Sequence, residues 1–304
     1  MIFPPIIPPT TQLPSEYFDT GTFDLLESLA QSIDPEYGDY TPDDPPSDGE
    51  LIAGELAGNL LYVGIPAFVK TLIQYMGEIN RLLADEQLVE VIMAGLRYGV
   101  AQEDPGCCVY LGGEYYQGAR FVAQDYTEAV RLYEIAAKYG SLQAITALGY
   151  VYEYGRIGEP DYAKAYELFA RAAGQGYPEA IYKLGDLYLR GEGVEADPLT
   201  AFRMYESCYE MSSQGVFADT RPTAQSAFRI AEMIVAGKYE NYGVPRNTVR
   251  ALKLYQEAEL EVRFEVSQGN REYLDRLEAI VAGQETARNI LDLYPEYYAT
   301  DWVD

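Results

Sequence analysis

Two kinds of apolar stripe alternate through the middle of the chain. Ala129, Leu132, Tyr133, Ala136 and Ala137 fall at the spacing of one face of a helix, and Ala165, Leu168, Phe169, Ala172 and Ala173 repeat that spacing. Between them stand shorter patterns of the form Leu-Gly-x-x-Tyr-x-x-Gly, at 111–118, 148–155 and 184–191. The two kinds of segment keep a fixed phase. Asp125, Asp161 and Asp197 are 36 residues apart, as are Ala129, Ala165 and Ala201. Gly140 and Gly176, and Ala144 and Ala180, share the same period. A period of this length means stacked supersecondary units.

Each unit reads as a pair of antiparallel helices. The glycine closing the first pattern (Gly118, Gly155, Gly191) suits a helix C-terminus. The internal glycine has no stopping role and implies close approach of the partner helix. The phased aspartate suits an N-cap, with Asp125 and Glu128 spaced as a capping box and Pro198 following Asp197. The expected helices are 106–117, 125–138, 142–154, 161–174, 178–190 and 197–210. A fourth unit is degenerate: Ile230-Ala231 replaces Leu-Gly, Gly237 ends the first helix, Asn247 replaces the aspartate, and Ala251, Tyr255 and Ala258 continue the stripe.

These residues resemble the Sel1-like repeat family, relatives of tetratricopeptide repeats, over about 106–260. The resemblance rests on A-x-x-x-L-G-x-x-Y-x-x-G, a loop to Asp, and A-x-x-x-Y/F-x-x-A-A-x-x-G. It implies an all-α fold, an α-α superhelix of helical hairpins. It also implies a scaffold for protein complexes without catalytic activity.

Outside the repeats the pattern changes. Residues 51–105 form a helical N-terminal block, with helices near 51–62, from Pro66 to about Leu83, and from Asp85 to near Val100. Residues 261–304 supply capping helices to about 294, with an acidic, aromatic tail after Arg288. Residues 1–50 carry nine of the seventeen prolines and eleven acids. That composition predicts a largely mobile or extended segment. Inside it Phe23, Leu26, Leu29, Ala30 and Ile33 follow helical spacing behind Thr22, either as a docking helix or as a helix packed on its own domain.

Charge narrows the chemistry. The 304 residues hold 48 acids and 22 bases, a net charge of −26, and no histidine. Histidine-dependent catalytic sites and HExxH-type zinc sites are closed. Direct nucleic-acid binding is disfavoured, because it draws on lysine and arginine. The longest uncharged apolar stretch, between Glu55 and Lys70, has fourteen residues and is too short to cross a bilayer. The opening MIFPPIIPPT has no basic n-region and its apolar run is broken by proline, which makes it a poor signal peptide, and a cytoplasmic location is expected. Cys107 and Cys208 fall on small-residue register positions and are expected to pack as small hydrophobes. The glycine-rich strings at 112–118 and 191–197 fall in repeat loops, and no carboxylate pair is singled out. No catalytic residue, metal or cofactor is expected.

The first-helix positions that vary between units share one helix face. They are Tyr110, Gly113 and Gln117; Ala147, Tyr150 and Tyr154; Lys183, Asp186 and Arg190; and Arg229, Glu232 and Ala236. This face is expected to line a concave groove, tyrosine-rich at one end and basic toward the other. The alternative is a solvated face. Tyr115, Tyr152 and Tyr188 hold a fixed register position and read as core. Two functions compete: a scaffold or adaptor binding a protein or peptide in the groove, and an acidic inhibitor or immunity protein (a DNA mimic included) that neutralises a basic partner such as a nuclease toxin. For the acidic extension three placements stay open: in or near the groove's basic end, where it would compete with the partner, free in solvent, or packed along the outside of helices 51–100.

Overall fold

A computed structural model describes residues 55–56, 59, 64–78, 86–118, 122–213, 222–267 and 274–294. The expectations for residues 1–50, most of the helix near 51–62, the cap at Asp85, the end near Leu83 and the tail beyond Tyr294 lie outside the described residues. The described residues hold eleven α-helices, one short 3-10 turn and no strand.

The chain divides into two compact units, one ending at Ser141 and one beginning at Leu142. The first unit contains α1 (Ile65–Glu78), α2 (Glu86–Ala101), α3 (Pro105–Gln117) and α4 (Tyr126–Lys138). The second contains α5 (Leu142–Glu153), α6 (Tyr162–Ala173), α7 (Pro178–Arg190), α8 (Pro198–Ser213), α9 (Pro222–Ala236), α10 (Thr248–Ser267) and α11 (Leu274–Leu293). Within each unit, helices pack against their neighbours in chain order. The expected repeat helices match α3 to α8 to within one residue, except that α8 runs to Ser213. Beyond Arg288 the chain stays helical to Leu293 rather than becoming tail at once.

The phased residues account for the hairpins. Asp125 caps α4 through the N–H groups of Thr127 and Glu128, and Asp161 caps α6 through Lys164 N. Asp197 accepts from Leu199 N, Thr200 N and the Thr200 hydroxyl, and Asn247 accepts from Arg250 N. A lost cap of this kind costs about 1 kcal/mol. The capping box at Asp125 and Glu128 does not close, because Glu128 is held by Arg131 and Asp125 N donates to Tyr115 O. The same loop bond recurs from Asp161 N to Tyr152 O and from Asp197 N to Tyr188 O. These register tyrosines, expected as core, are half-buried, and Tyr188 packs against the core of the second unit. At each chain reversal the main-chain carbonyl of this register position ties the loop to the end of the first helix. Gly118 and Gly191 end α3 and α7 in the left-handed conformation, which favours glycine.

The internal glycines sit under aromatic rings. A Cβ on Gly112 would stand 2.8 Å from the Tyr133 ring, one on Gly149 2.7 Å from Phe169 Cδ1, and one on Gly185 2.7 Å from the Tyr205 ring. Tyr133, Phe169 and Tyr205 are themselves 36 residues apart. Each hairpin is therefore keyed by one aromatic ring on one glycine. In the fourth unit Ala231 occupies the glycine position, and the Tyr255 ring lies instead against Gly283 of α11. The three cysteines are free and fully buried. Cys107 packs against Gly99, where α2 meets α3.

Candidate peptide-binding cavity

A cavity of about 420 Å³ opens within the second unit, on the first-helix side of its hairpins. Helix α5 contributes Tyr150, Glu153 and Tyr154, and α7 contributes Tyr182, Lys183, Asp186 and Arg190. Gln225 and Arg229 come from α9, Tyr162 from α6, Arg276 from α11 and Glu192 from the loop after α7. Of the sequence-predicted face, Tyr150, Tyr154, Lys183, Asp186, Arg190 and Arg229 meet here. Glu232 pairs with Arg229 (2.9 Å) outside the lining. Tyr110 and Gln117 are exposed on α3 in the first unit and do not line it.

Glu153 is the base of the site. It is the one charged residue of α5, and it is buried. Its Oε1 accepts from Lys183 Nζ and from Arg190 Nη2, both at 2.8 Å. The other carboxylate oxygen is buried without a hydrogen bond. Lys183 is also buried, with its ammonium 5.1 Å from the Tyr150 ring centre and 5.4 Å from that of Tyr154. The two rings stack at 6.0 Å with 8° between their planes. Both present a π-face to the charge, a favourable arrangement for a desolvated cation. The Tyr150 hydroxyl donates to Glu179 (3.0 Å), which fixes the ring from behind.

A second carboxylate anchors the next repeat. Asp186 accepts from the Tyr205 hydroxyl at 2.7 Å and lies 3.4 Å from Arg229 Nε and 3.6 Å from Arg190 Nη1. Arg190 also donates to Glu192 at 2.6 Å. The groove's expected basic end is thus an ion-pair network. Lys183, Arg190 and Arg229 bridge successive repeats through Glu153 and Asp186 rather than presenting bare positive charge.

Burial opposes the charge on Lys183, yet Glu153 and Asp186 outweigh it and raise the pKa above the ordinary lysine value. The ammonium is thereby held in its protonated form at neutral pH. Burial and the neighbouring Asp186 push the Tyr205 phenol far up. Burial likewise holds Cys107 at about 12, and Cys108 and Cys208 at about 11. These groups keep their protons near neutrality. Among the described residues no cluster of three or more His, Cys, Asp or Glu side chains is placed to hold a metal ion.

Four stretches of the chain match the Sel1 repeat: residues 105–141, 142–177, 178–213 and 224–259. The chain belongs to the Sel1 repeat family. The crystal structure of c5321, a protective antigen present in uropathogenic Escherichia coli strains and displaying an SLR fold, is similar to it. That likeness has a TM-score of 0.54 and 21% identity, over 83% of this chain and 53% of the other. The chain thus spans about half the length of that protein. A Sel1 repeat protein from Oxalobacter formigenes has 31% identity, over 40% of this chain and 90% of that one, with a TM-score of 0.35. No curated protein matches the chain.

The cavity draws on the second, third and fourth Sel1 repeats. Sequence reasoning missed Glu153, although it stands three residues after Tyr150 and so shares its face. A lone carboxylate in the apolar run LQAITALGYVYE was the available signal. Arg276 lies outside the repeats, and no register points to it.

Proposed function

We propose that the protein is a non-enzymatic scaffold, or adaptor, whose first-helix face across the second to fourth Sel1 repeats binds a protein or peptide. The observation that carries this reading is the convergence of register positions that vary between repeats on one cavity. A repeated frame specifies the fold, and side chains free to differ from repeat to repeat serve recognition. Tyrosine and arginine dominate this set, and both are favoured interface anchors. The raised Lys183 pKa and the absence of histidine from the chain favour binding over catalysis.

A net charge of −26 supports a second reading, an acidic inhibitor or immunity protein capturing a basic partner. Its contacts would fall on the acidic outer surface and weaken steeply with salt. A cytoplasmic site of action suits either reading. Among the described residues no helix is long and apolar enough to cross a membrane.

Affinity capture from the native host distinguishes the two. The full chain, its Tyr154→Ala variant and a Lys164→Gln control on α6 are compared by quantitative mass spectrometry. The scaffold reading expects a partner retained by the parent and the control but lost with Tyr154→Ala. A partner kept by all three, and released by moderate salt, would instead support the charge-based inhibitor.

A further inference from the structure

The charged side chains of the cavity answer one another. Lys183 pairs with Glu153 at 2.8 Å and with Asp186 at 3.6 Å. Arg190 pairs with Glu153, Asp186 and Glu192, and Arg229 pairs with Asp186 and Glu232. Arg276 is engaged as well. A charged group entering this site would lose its hydration and find no free counter-charge. The ion pairs join the repeats and leave the cavity without a net call for either sign.

The neutral groups are not committed. Gln225 stands half-buried in the lining, and its carboxamide makes no hydrogen bond among the described residues. Tyr162 is half-buried too, and its hydroxyl is likewise unpaired among the described residues. The Tyr154 ring lines the same cavity and is 50% exposed. An incoming molecule therefore meets a carboxamide, a hydroxyl and an aromatic surface, all uncharged.

We infer that this cavity seats the main chain of an uncharged segment of a partner peptide, with one peptide group paired to the Gln225 carboxamide and a neighbouring apolar side chain against the exposed part of the Tyr154 ring. This rests on the scaffold reading and names the part of the partner that the cavity takes. A peptide group carries one N–H and one C=O, and burying either unpaired costs free energy. A carboxamide carries the complement of both, two N–H donors and a carbonyl acceptor. A cavity of about 420 Å³ falls in the range that takes small ligands, so it suits a short stretch of chain rather than a folded surface. Outside the cavity a net charge of −26 favours a basic partner, but the compensated pairs inside it do not. Affinity gained in the cavity should therefore be insensitive to salt, unlike that of a charge-based inhibitor.

The test is selection of a random dodecapeptide phage library on the full chain, followed by titration of synthetic copies of the enriched peptides. The expected result is a shared run of uncharged residues with no fixed Asp, Glu, Lys or Arg, and an affinity nearly unchanged between low and high salt. Replacing the peptide's amides by esters, one at a time, removes single N–H donors. One such replacement should weaken binding about threefold to tenfold, the range of one hydrogen bond. The ester scan leaves the protein untouched, so misfolding cannot mimic its result. In the protein, Gln225→Met should give a similar loss, and the critical ester should then cost nothing further. Because the Gln225 side chain makes no hydrogen bond among the described residues, this variant should melt with the parent. A fixed charged residue or a steep salt dependence would overturn the inference. An ester scan with no critical amide, or with one equally costly in Gln225→Met, would overturn it too. The scaffold reading would survive each of these results if Tyr154→Ala still abolished binding. No enrichment at all would overturn both.

Discussion

At the scale of single residues, the repeat is defined by an aromatic ring lying on a glycine. Tyr133 on Gly112, Phe169 on Gly149 and Tyr205 on Gly185 leave no room for even a methyl group. Gly149→Ala and Gly185→Ala should therefore lower stability by about 1–3 kcal/mol through overpacking. Their favourable helix propensity would otherwise predict a gain. Urea melts decide the sign, and a stabilised variant would refute the ring-on-glycine account. The thiols provide a second check. Cys107, Cys108 and Cys208 are fully buried, with pKa values pushed up by burial to about 12, 11 and 11. Native protein should leave all three unmodified by a thiol reagent at neutral pH, and urea should expose all three. A fast-reacting cysteine in native protein would contradict the packing described for these helices.

At the scale of elements, each hairpin is set by a capping residue, and successive hairpins are joined by the ion pairs of the cavity floor. Glu153 links the second repeat to Lys183 and Arg190 of the third, and Asp186 links the third to Arg229 of the fourth. Removing one member of such a buried set leaves its partners uncompensated. Glu153→Gln should thus cost about 3 kcal/mol, while Glu232→Gln, an exposed pair, should cost well under 1. Equal melting shifts for the two variants would show that the buried network does not couple the repeats. Much of this level was legible in the sequence. The 36-residue phase of Asp, Ala and Gly fixes the repeat helices nearly to the residue, because capping and close packing act locally. The pairs of Lys183 and Arg190 with Asp186, and of Arg229 with Glu232, follow the three- and four-residue spacing of a helix and were open to reading. The pairs of Lys183 and Arg190 with Glu153, and of Arg229 with Asp186, cross between repeats, and no spacing along one helix shows them. The register tyrosines Tyr115, Tyr152 and Tyr188 are half-buried rather than fully buried, and Tyr188 packs against the core with its hydroxyl 2.9 Å from that of Tyr166.

At the scale of the whole molecule, pH acts through groups that are buried in their neutral form. The thiols ordinarily ionise near 9.0 and the phenols near 10.0, and burial raises Cys107, Cys108, Cys208, Tyr133, Tyr205 and Tyr255 above those values. A group raised in the folded state contributes stability that is complete below its unfolded pKa and is lost as pH climbs toward the folded one. Stability should therefore fall as pH passes about 9 and keep falling to about 12. Urea midpoints measured across that range check it, and a flat profile would contradict the burial of these groups.

The central claim is that recognition occurs on the first-helix face of the second to fourth repeats, not on the acidic exterior. Hydrogen–deuterium exchange of the full chain, with and without its captured partner, tests this most directly. The account predicts new protection in 150–156, 183–192 and 225–232, the segments of α5, α7 and α9 that bound the cavity. Protection confined to the second helices α6 and α8, with those three segments unchanged, would contradict it.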